Sequence, residues 1–261
     1  MNSALKYRPD IDGLRAVAVL LVLAYHLDIS RFWGGFVGVD LFFVISGFLI
    51  SSIILSGLDS SRFSLLAFYE RRIRRIFPAL VVMLLGAAVL AYKFFMPTEF
   101  VDFGKSLLAA TFSLSNVFFL RHSGGYFDAP ATMKPFLHTW SLAVEEQFYL
   151  FLPLFLIGVR RFFPKRQVLL ISAVALLSFI LSAIGAFRSH DATFYLAHTR
   201  AWELLLGTLL AMNVLPDISS PLWRNLASLS GLVLILPPGL RSTSARRSPE
   251  WPHFFLALGQ R

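Results

Sequence analysis

The chain has 261 residues, of which 56% are apolar and 27 are phenylalanine, and its mean hydropathy is +0.67. A soluble domain has roughly 45–50% apolar residues, so one water-facing core cannot bury this much apolar surface. The formal charge of +9 lies mostly in short clusters between apolar runs. That pattern is typical of membrane topology signals and argues against a nucleic-acid-binding surface. The chain has no cysteine, which excludes disulfides, thiolate zinc sites and a cysteine nucleophile.

Apolar runs near the length that crosses a hydrocarbon core predict about seven transmembrane helices. They are expected at residues 13–29, 39–58, 79–96, 139–159, 167–187, 200–214 and 225–236. The first run resembles a signal peptide, but no small-residue cleavage site follows it, so we interpret it as an uncleaved helix. Pro78 is expected to mark a helix start or a kink. The predicted fold class is an all-α, polytopic transmembrane helix bundle.

Basic clusters predict the orientation of this bundle. The clusters at residues 71–75 and 160–166 should both face the cytoplasm, which places the N-terminus inside. The two clusters cannot both face the cytoplasm if the segment 104–120 crosses the membrane. We therefore expect this segment to be re-entrant or to lie on the outer surface. The loop 121–138 would then be external. Residues 237–261 are expected to form a polar tail after a membrane domain at residues 1–236.

The first predicted span carries three ionisable residues, Asp12, Arg15 and His26. Such side chains cost at least about 2.5–3.5 kcal/mol each inside a membrane, so each needs a partner or a function. Arg15 and His26 are eleven residues apart, which places them on one helix face about 16 Å apart along the axis. Asp12 can pair with Arg15 at i, i+3. Arg15 could simply anchor the helix at the interface, and a neighbouring helix could satisfy His26. In the functional interpretation, His26 takes and returns a proton near neutral pH.

A second polar group lies at residues 138–149, where Glu145 and Glu146 are adjacent. Neighbouring helical carboxylates point in different directions, so one could face the bundle interior. Alternatively, this segment is a water-exposed helix start with acids at its N-terminal dipole, and Trp140 and Tyr149 are interfacial aromatics.

The arginines at 71, 72, 74 and 75 also have two interpretations. Topology and anionic lipid headgroups explain most of the cluster. A phosphate clamp is the sharper hypothesis, because the guanidinium fork suits phosphate oxygens. No metalloprotease motif, hydrolase elbow or dinucleotide fingerprint is present, and we expect no metal site.

Several stretches, taken in order over about residues 7–212, resemble the acyltransferase type 3 family of bacterial inner-membrane enzymes that O-acylate cell-surface carbohydrates. They are YRPDIDGLRA at 7–16, Arg15 with His26, the glycine-rich segment 34–48, FYERRIRR at 68–75, HTWSLAVEEQFY at 138–149 and TRAWEL at 199–204. Each stretch is a weak signal by itself, whereas the ordered set is specific.

The resemblance implies an acyl-CoA donor, with acetyl-CoA expected, on the cytoplasmic side and a carbohydrate or lipid-linked glycan hydroxyl on the outer side. No bound cofactor is implied. It assigns catalysis to His26, Arg15 and Glu145, with His26 as a general base or an acyl carrier. Glu145 would orient the imidazole or stabilise its charged form. Four arginines, Arg71, Arg72, Arg74 and Arg75, would lie near the donor phosphates. Supporting roles are expected for Asp12, Asp40, Trp140, Ser141, Arg200 and Glu203.

Two alternatives remain at this stage. Family members usually continue through about ten spans, so this shorter chain could be an inactive truncated fragment. A transporter or flippase could use the same polar residues as a substrate path, although the sequence lacks the paired broken helices of an inverted repeat. In every interpretation the lipid bilayer is a partner and nucleic acid is not.

Overall fold

The computed structural model of the chain describes residues 8–27, 29, 34–122, 134–214 and 219–239. Within these ranges the chain forms ten helices and no strand. The helices are α1 Pro9–His26, α2 Val37–Asp59, α3 Leu65–Phe94, α4 Pro97–Thr111, α5 Ser115–His122, α6 Thr139–Phe162, α7 Gln167–Arg188, α8 His190–Tyr195, α9 Ala197–Ala211 and α10 Pro221–Gly239. The prediction of an all-α membrane protein is confirmed.

Four helices of the described ranges are long and apolar enough to cross a membrane: α2, α3, α6 and α7. The predicted total of about seven spans is therefore not confirmed. Helix α1 includes Asp10, Asp12 and Arg15, and α9 has only 15 residues. A crossing helix needs roughly 20 predominantly apolar residues, which explains why length and composition alone do not identify these two.

Helix α3 differs from its predicted start. It begins at Leu65 and continues through Pro78 to Phe94, so Pro78 does not mark the beginning of the helix. The Ser64 side chain caps the actual start by accepting a hydrogen bond from the Ala67 amide at 3.3 Å. The arginine cluster consequently lies two turns inside a helix.

The segment predicted at 104–120 consists of two short helices, α4 and α5, separated by a turn in which Ser113 has φ 54°. With 15 and 8 residues, neither is long enough to cross a bilayer. Residues 123–133 of the predicted outer loop lie outside the described ranges, as do residues 240–261 of the predicted tail, whose first residues continue α10 to Gly239.

Helix α2 is the centre of the bundle because two other helices approach its backbone closely. A Cβ added at Gly47 would lie 2.0 Å from the Leu204 carbonyl oxygen of α9, and one added at Gly38 would lie 2.4 Å from the Ala18 carbonyl oxygen of α1. Ser51 donates a buried hydrogen bond to Thr208 of α9 at 2.8 Å. These approaches hold α1 and α9 in fixed registers on either side of α2.

Candidate active site

A buried carboxylate lies where α6 packs against α2. Glu145 is only 6% exposed, and its neighbour across the helix interface is Ser46, which also lies beside Tyr149. Glu145 and Tyr149 are four residues apart and therefore share one face of α6. The Oε1 atom of Glu145 has no hydrogen-bond partner among the described residues. A buried carboxylate oxygen without a partner is costly, which is typical of a functional position.

Glu146 faces α3 instead of α2. It accepts a hydrogen bond from Arg72 Nη2 at 3.3 Å, and the Arg72 guanidinium carbon lies 4.1 Å from the Tyr149 ring centroid. Tyr69, one turn earlier on α3, donates to the Leu150 carbonyl at 2.6 Å. The Nε atom of Arg72 is buried and, within the described ranges, makes no hydrogen bond.

The structure divides the four arginines into two sets. Arg71, Arg74 and Arg75 are exposed, and Arg74 pairs with Glu70 of the preceding turn at 2.7 Å. Arg72 points to α6 and joins the residues around Glu145. The sequence predicts all four arginines together near the donor phosphates, and Arg72 alone turns away from this cluster. The reason is geometric, since successive residues of a helix point about 100° apart.

Arg15 approaches the surroundings of Glu145 from α1. Its predicted pairing with Asp12 is confirmed at 3.6 Å, and its guanidinium carbon lies 5.9 Å from the Phe42 ring centroid of α2. Arg15 and Arg72 are both within electrostatic range of the Glu145 carboxyl group. Two cations, one from α1 and one from α3, therefore act on the Glu145 carboxyl group.

His26 lies at the other end of α1, about 16 Å along the axis from Arg15. Its Nδ1 atom is 2.8 Å from the Val22 carbonyl oxygen, and its ring is exposed. His138, which precedes α6, is close enough to His26 for their charges to interact. Burial lowers the pKa of His138, and the positive charge of His26 lowers it further. The structure does not place His26 in contact with Glu145. The predicted catalytic residues therefore lie at two different heights along the bundle, with His26 at one and Arg15 and Glu145 at the other.

The supporting residues Asp40, Arg200 and Glu203 form one cluster. Arg200 Nη1 donates to Asp40 Oδ1 at 2.9 Å and to Glu203 Oε1 at 2.8 Å, and Arg200 Nε donates to the Phe194 carbonyl at 3.4 Å. Glu203 is 1% exposed, and its second oxygen has no partner among the described residues. This cluster joins α9 to α2, which the sequence did not predict because the two acids are far apart in the chain.

Two further supporting residues lie at the start of α6. Trp140 packs edge-on against Phe43 of α2 with the ring centroids 6.2 Å apart. The Ser141 hydroxyl donates to the His138 carbonyl at 3.3 Å, so it bonds to the backbone at the start of α6. Trp140 therefore contributes to packing between α2 and α6, and Ser141 does not contact Glu145 through a described bond.

Sequence reasoning gave no site role to Ser46, Glu146, Tyr149 or His138. The adjacent acids at 145 and 146 were the available signal, but which one faces α2 depends on how α6 is rotated. Ser46 is a single serine in an apolar run, and the sequence around it carries no signal of a site.

Comparison with known proteins adds independent observations. A family model described as an acyltransferase domain matches residues 8–240. The peptidoglycan O-acetyltransferase OatA of Listeria monocytogenes is 40% identical over 211 residues, which cover 79% of this chain and 34% of that protein. The O-acetyltransferase OatA of Staphylococcus aureus is 38% identical over 211 residues, with the same two shares. The chain thus spans about a third of the length of these two relatives. No solved structure matches the chain.

Proposed function

The chain belongs to the acyltransferase type 3 family, and on that premise we propose that it transfers an acetyl group from acetyl-CoA to a hydroxyl of an extracytoplasmic carbohydrate or lipid-linked glycan. The observation that carries the proposal is the buried Glu145 carboxylate, which lies within electrostatic range of Arg15 and Arg72. Those residue types, held inside a helix bundle, suit the binding of a polar acyl donor away from water. The relatives named as O-acetyltransferases support acetyl as the group transferred.

His26 has the geometry of a general base in this proposal. With the proton on Nδ1, the ring donates to the Val22 carbonyl at 2.8 Å and leaves the Nε2 lone pair available. Nε2 accepts the proton of the acceptor hydroxyl as its oxygen attacks the thioester carbonyl carbon. The carbon–sulfur bond then breaks, and the coenzyme A thiolate leaves and takes up a proton. The products are the O-acetylated glycan and free coenzyme A.

In this proposal the remaining residues bind the acyl donor or position the catalytic residues and helices. Arg71, Arg74 and Arg75 present exposed guanidinium groups for the donor phosphates on the proposed cytoplasmic side. Arg15 contributes a positive charge near Glu145, and Asp12 pairs with Arg15. The cluster of Asp40, Arg200 and Glu203 fixes α9 on α2. The proposed location is the bacterial inner membrane, with the N-terminus in the cytoplasm.

The test is transfer of labelled acetyl from acetyl-CoA to surface polysaccharide in cells or membranes that contain this chain. A His26→Ala variant is compared at matched membrane abundance. His190→Ala is the control, because His190 is also exposed but begins the short helix α8, away from α1. We expect transfer by the wild type and the control, and a loss of about 10²-fold or more in His26→Ala.

Each outcome has a defined meaning. No transfer by the correctly inserted wild type would overturn the proposed function for these residues. Movement of glycan across the membrane without use of acetyl-CoA would indicate a transporter instead. Label trapped on the wild-type protein and absent from His26→Ala would make His26 an acyl carrier.

A further inference from the structure

The contact between Arg72 and Glu146 differs from the other ion pairs that join helices in the described ranges. Arg200 binds Asp40 at 2.9 Å and Arg160 binds Asp59 at 2.5 Å, whereas Arg72 and Glu146 are 3.3 Å apart. The longest of these three pairs is therefore the one beside Glu145. A charge-assisted hydrogen bond is usually about 2.7–2.9 Å long, so this contact is weak for its type.

The hydrogen-bonding capacity of Arg72 is also largely unused. A guanidinium group has five N–H donors in a fork that matches two oxygens at once. Arg72 makes one side-chain hydrogen bond, to Glu146, and its buried Nε has no partner among the described residues. Arg200 shows what a structural arginine looks like in this bundle, since it binds two carboxylates and a carbonyl.

The position of Arg72 is nevertheless fixed by one aromatic side chain of α6 and one of α3. Its guanidinium lies against the ring of Tyr149, which is 3% exposed, and Tyr69 ties the same stretch of α3 to the α6 backbone. The side chain of Arg72 is 15% exposed, and Arg75, three residues later on the same helix, is exposed. An anion that binds at the exposed arginines can therefore reach the guanidinium of Arg72.

From these contacts we infer that Glu146 acts as an internal substitute for an anionic group of the acyl donor, and that the donor displaces Glu146 from Arg72 when it binds. This inference rests on the proposed function for the identity of the donor. The group that we expect to bind Arg72 is a phosphoryl group. Its oxygens can accept two N–H groups of the guanidinium fork at once, whereas Glu146 accepts only one. Glu146 thereby sets donor affinity and disfavours uncharged thioesters, which cannot compete with a carboxylate.

The test measures binding directly, independently of acyl transfer. Affinities of coenzyme A and of pantetheine, which lacks phosphate, are determined by calorimetry on the full chain in nanodiscs. In Glu146→Gln we expect coenzyme A to bind about tenfold more tightly, because it no longer competes with a carboxylate. Pantetheine affinity should not change. Glu146→Asp keeps the charge on a shorter side chain and is expected to lie between the wild type and Glu146→Gln.

Two controls make the result specific. Glu70→Gln removes a carboxylate from an arginine of the same helix, but the Glu70–Arg74 pair is exposed and should contribute little, so coenzyme A affinity should change less than twofold. In an Arg72→Gln background, Glu146→Gln should have no effect on coenzyme A affinity. Thermal unfolding of each variant confirms that the protein being titrated is folded.

A structural role for Glu146 makes the opposite prediction. If the pair only holds α3 to α6, Glu146→Gln will weaken coenzyme A binding or leave it unchanged, and either result overturns the inference. Equal tightening of pantetheine and coenzyme A would overturn it as well, and so would an absence of coenzyme A binding by every variant. Coenzyme A binding that tightens as expected in a protein without transferase activity would support this inference while refuting the proposed function.

Discussion

Arg200 of α9 donates to Asp40 of α2 at 2.9 Å, although 160 residues separate them in the chain. The same Nη1 atom donates to Glu203 at 2.8 Å. One guanidinium thus serves two acids inside the bundle, and α2 and α9 run parallel on either side of it. Through this contact the stretch at 199–204, which matches a family motif, is attached to α2.

Removal of this cation should destabilise the bundle strongly. Arg200→Met leaves the Glu203 carboxylate, which is 1% exposed, without its partner, and breaking a buried pair costs about 3–5 kcal/mol. The free energy of unfolding in detergent micelles measures the loss. Arg74→Met is the matched control, because its pair with Glu70 is exposed on both sides and should contribute less than about 1 kcal/mol. Equal losses in the two variants would refute a structural role for the cluster.

The contact between α2 and α9 requires the absence of a side chain at Gly47. Gly47→Ala would bring a Cβ to 2.0 Å from the Leu204 carbonyl oxygen, so the helices must separate. Overpacking of this kind costs roughly 1–3 kcal/mol, and the hydrogen bond from Ser51 to Thr208 should also be lost.

Gly86→Ala on α3 provides the control for this prediction. Nothing lies within 4 Å of a Cβ at that position, and alanine is the better helix former by about 0.5–1 kcal/mol. Chemical unfolding should therefore show opposite signs for the two substitutions. The same sign for both would mean that the two helices do not approach as described.

The amides of Asn116 and Gln147 should be energetically coupled. Asn116 is fully buried on α5, and Gln147 Nε2 donates to its Oδ1 at 2.9 Å while Asn116 Nδ2 donates to the Gln147 oxygen at 3.3 Å. Each substitution to leucine should cost about 1–3 kcal/mol, because the remaining amide loses both hydrogen bonds to its partner and keeps only its bond to a backbone carbonyl, Tyr195 for Asn116 or Ser113 for Gln147. A double-mutant cycle should give a coupling of about 0.5–3 kcal/mol. Strict additivity would show that the two amides act independently.

The titration of His138 should depend on His26. Burial lowers the pKa of His138 first, and the charge of His26 lowers it further, so His26→Gln should raise that pKa without returning it to the ordinary value. The rate of carbethoxylation of His138 as a function of pH, followed by mass spectrometry, measures the midpoint. His190→Gln should leave the midpoint in place. An unchanged midpoint in His26→Gln would mean that the C-terminal end of α1 does not approach the start of α6.

Single cysteines can test the proposed orientation, since the natural chain has none. Lys134 and Lys165 lie on either side of α6, which has 24 residues and is apolar enough to cross the membrane. A membrane-impermeant maleimide should label Lys134→Cys in intact cells and Lys165→Cys only after the membrane is opened. Labelling of both positions from outside would contradict a single crossing by α6 and the proposed topology.

The sequence by itself determined the membrane class, the helical fold and the family. It did so because apolar runs have a length that only a hydrocarbon core requires, and because the ordered motifs around Arg15, His26 and Glu145 are specific as a set. The pairing of Asp12 with Arg15 was equally predictable, because i, i+3 contacts follow from the geometry of one helix.

Only the tertiary structure decided which polar residues of different helices meet. The ion pairs of the candidate site that the sequence did not predict join different helices: Arg72 pairs with Glu146, and Arg200 pairs with Asp40. Such pairs depend on the rotation and register of whole helices, which Gly38 and Gly47 set through backbone contacts with α1 and α9. Adjacent residues of a helix point about 100° apart, so a short motif does not reveal that Arg72 leaves its cluster for α6, or that Glu145 turns to α2 and Glu146 to α3.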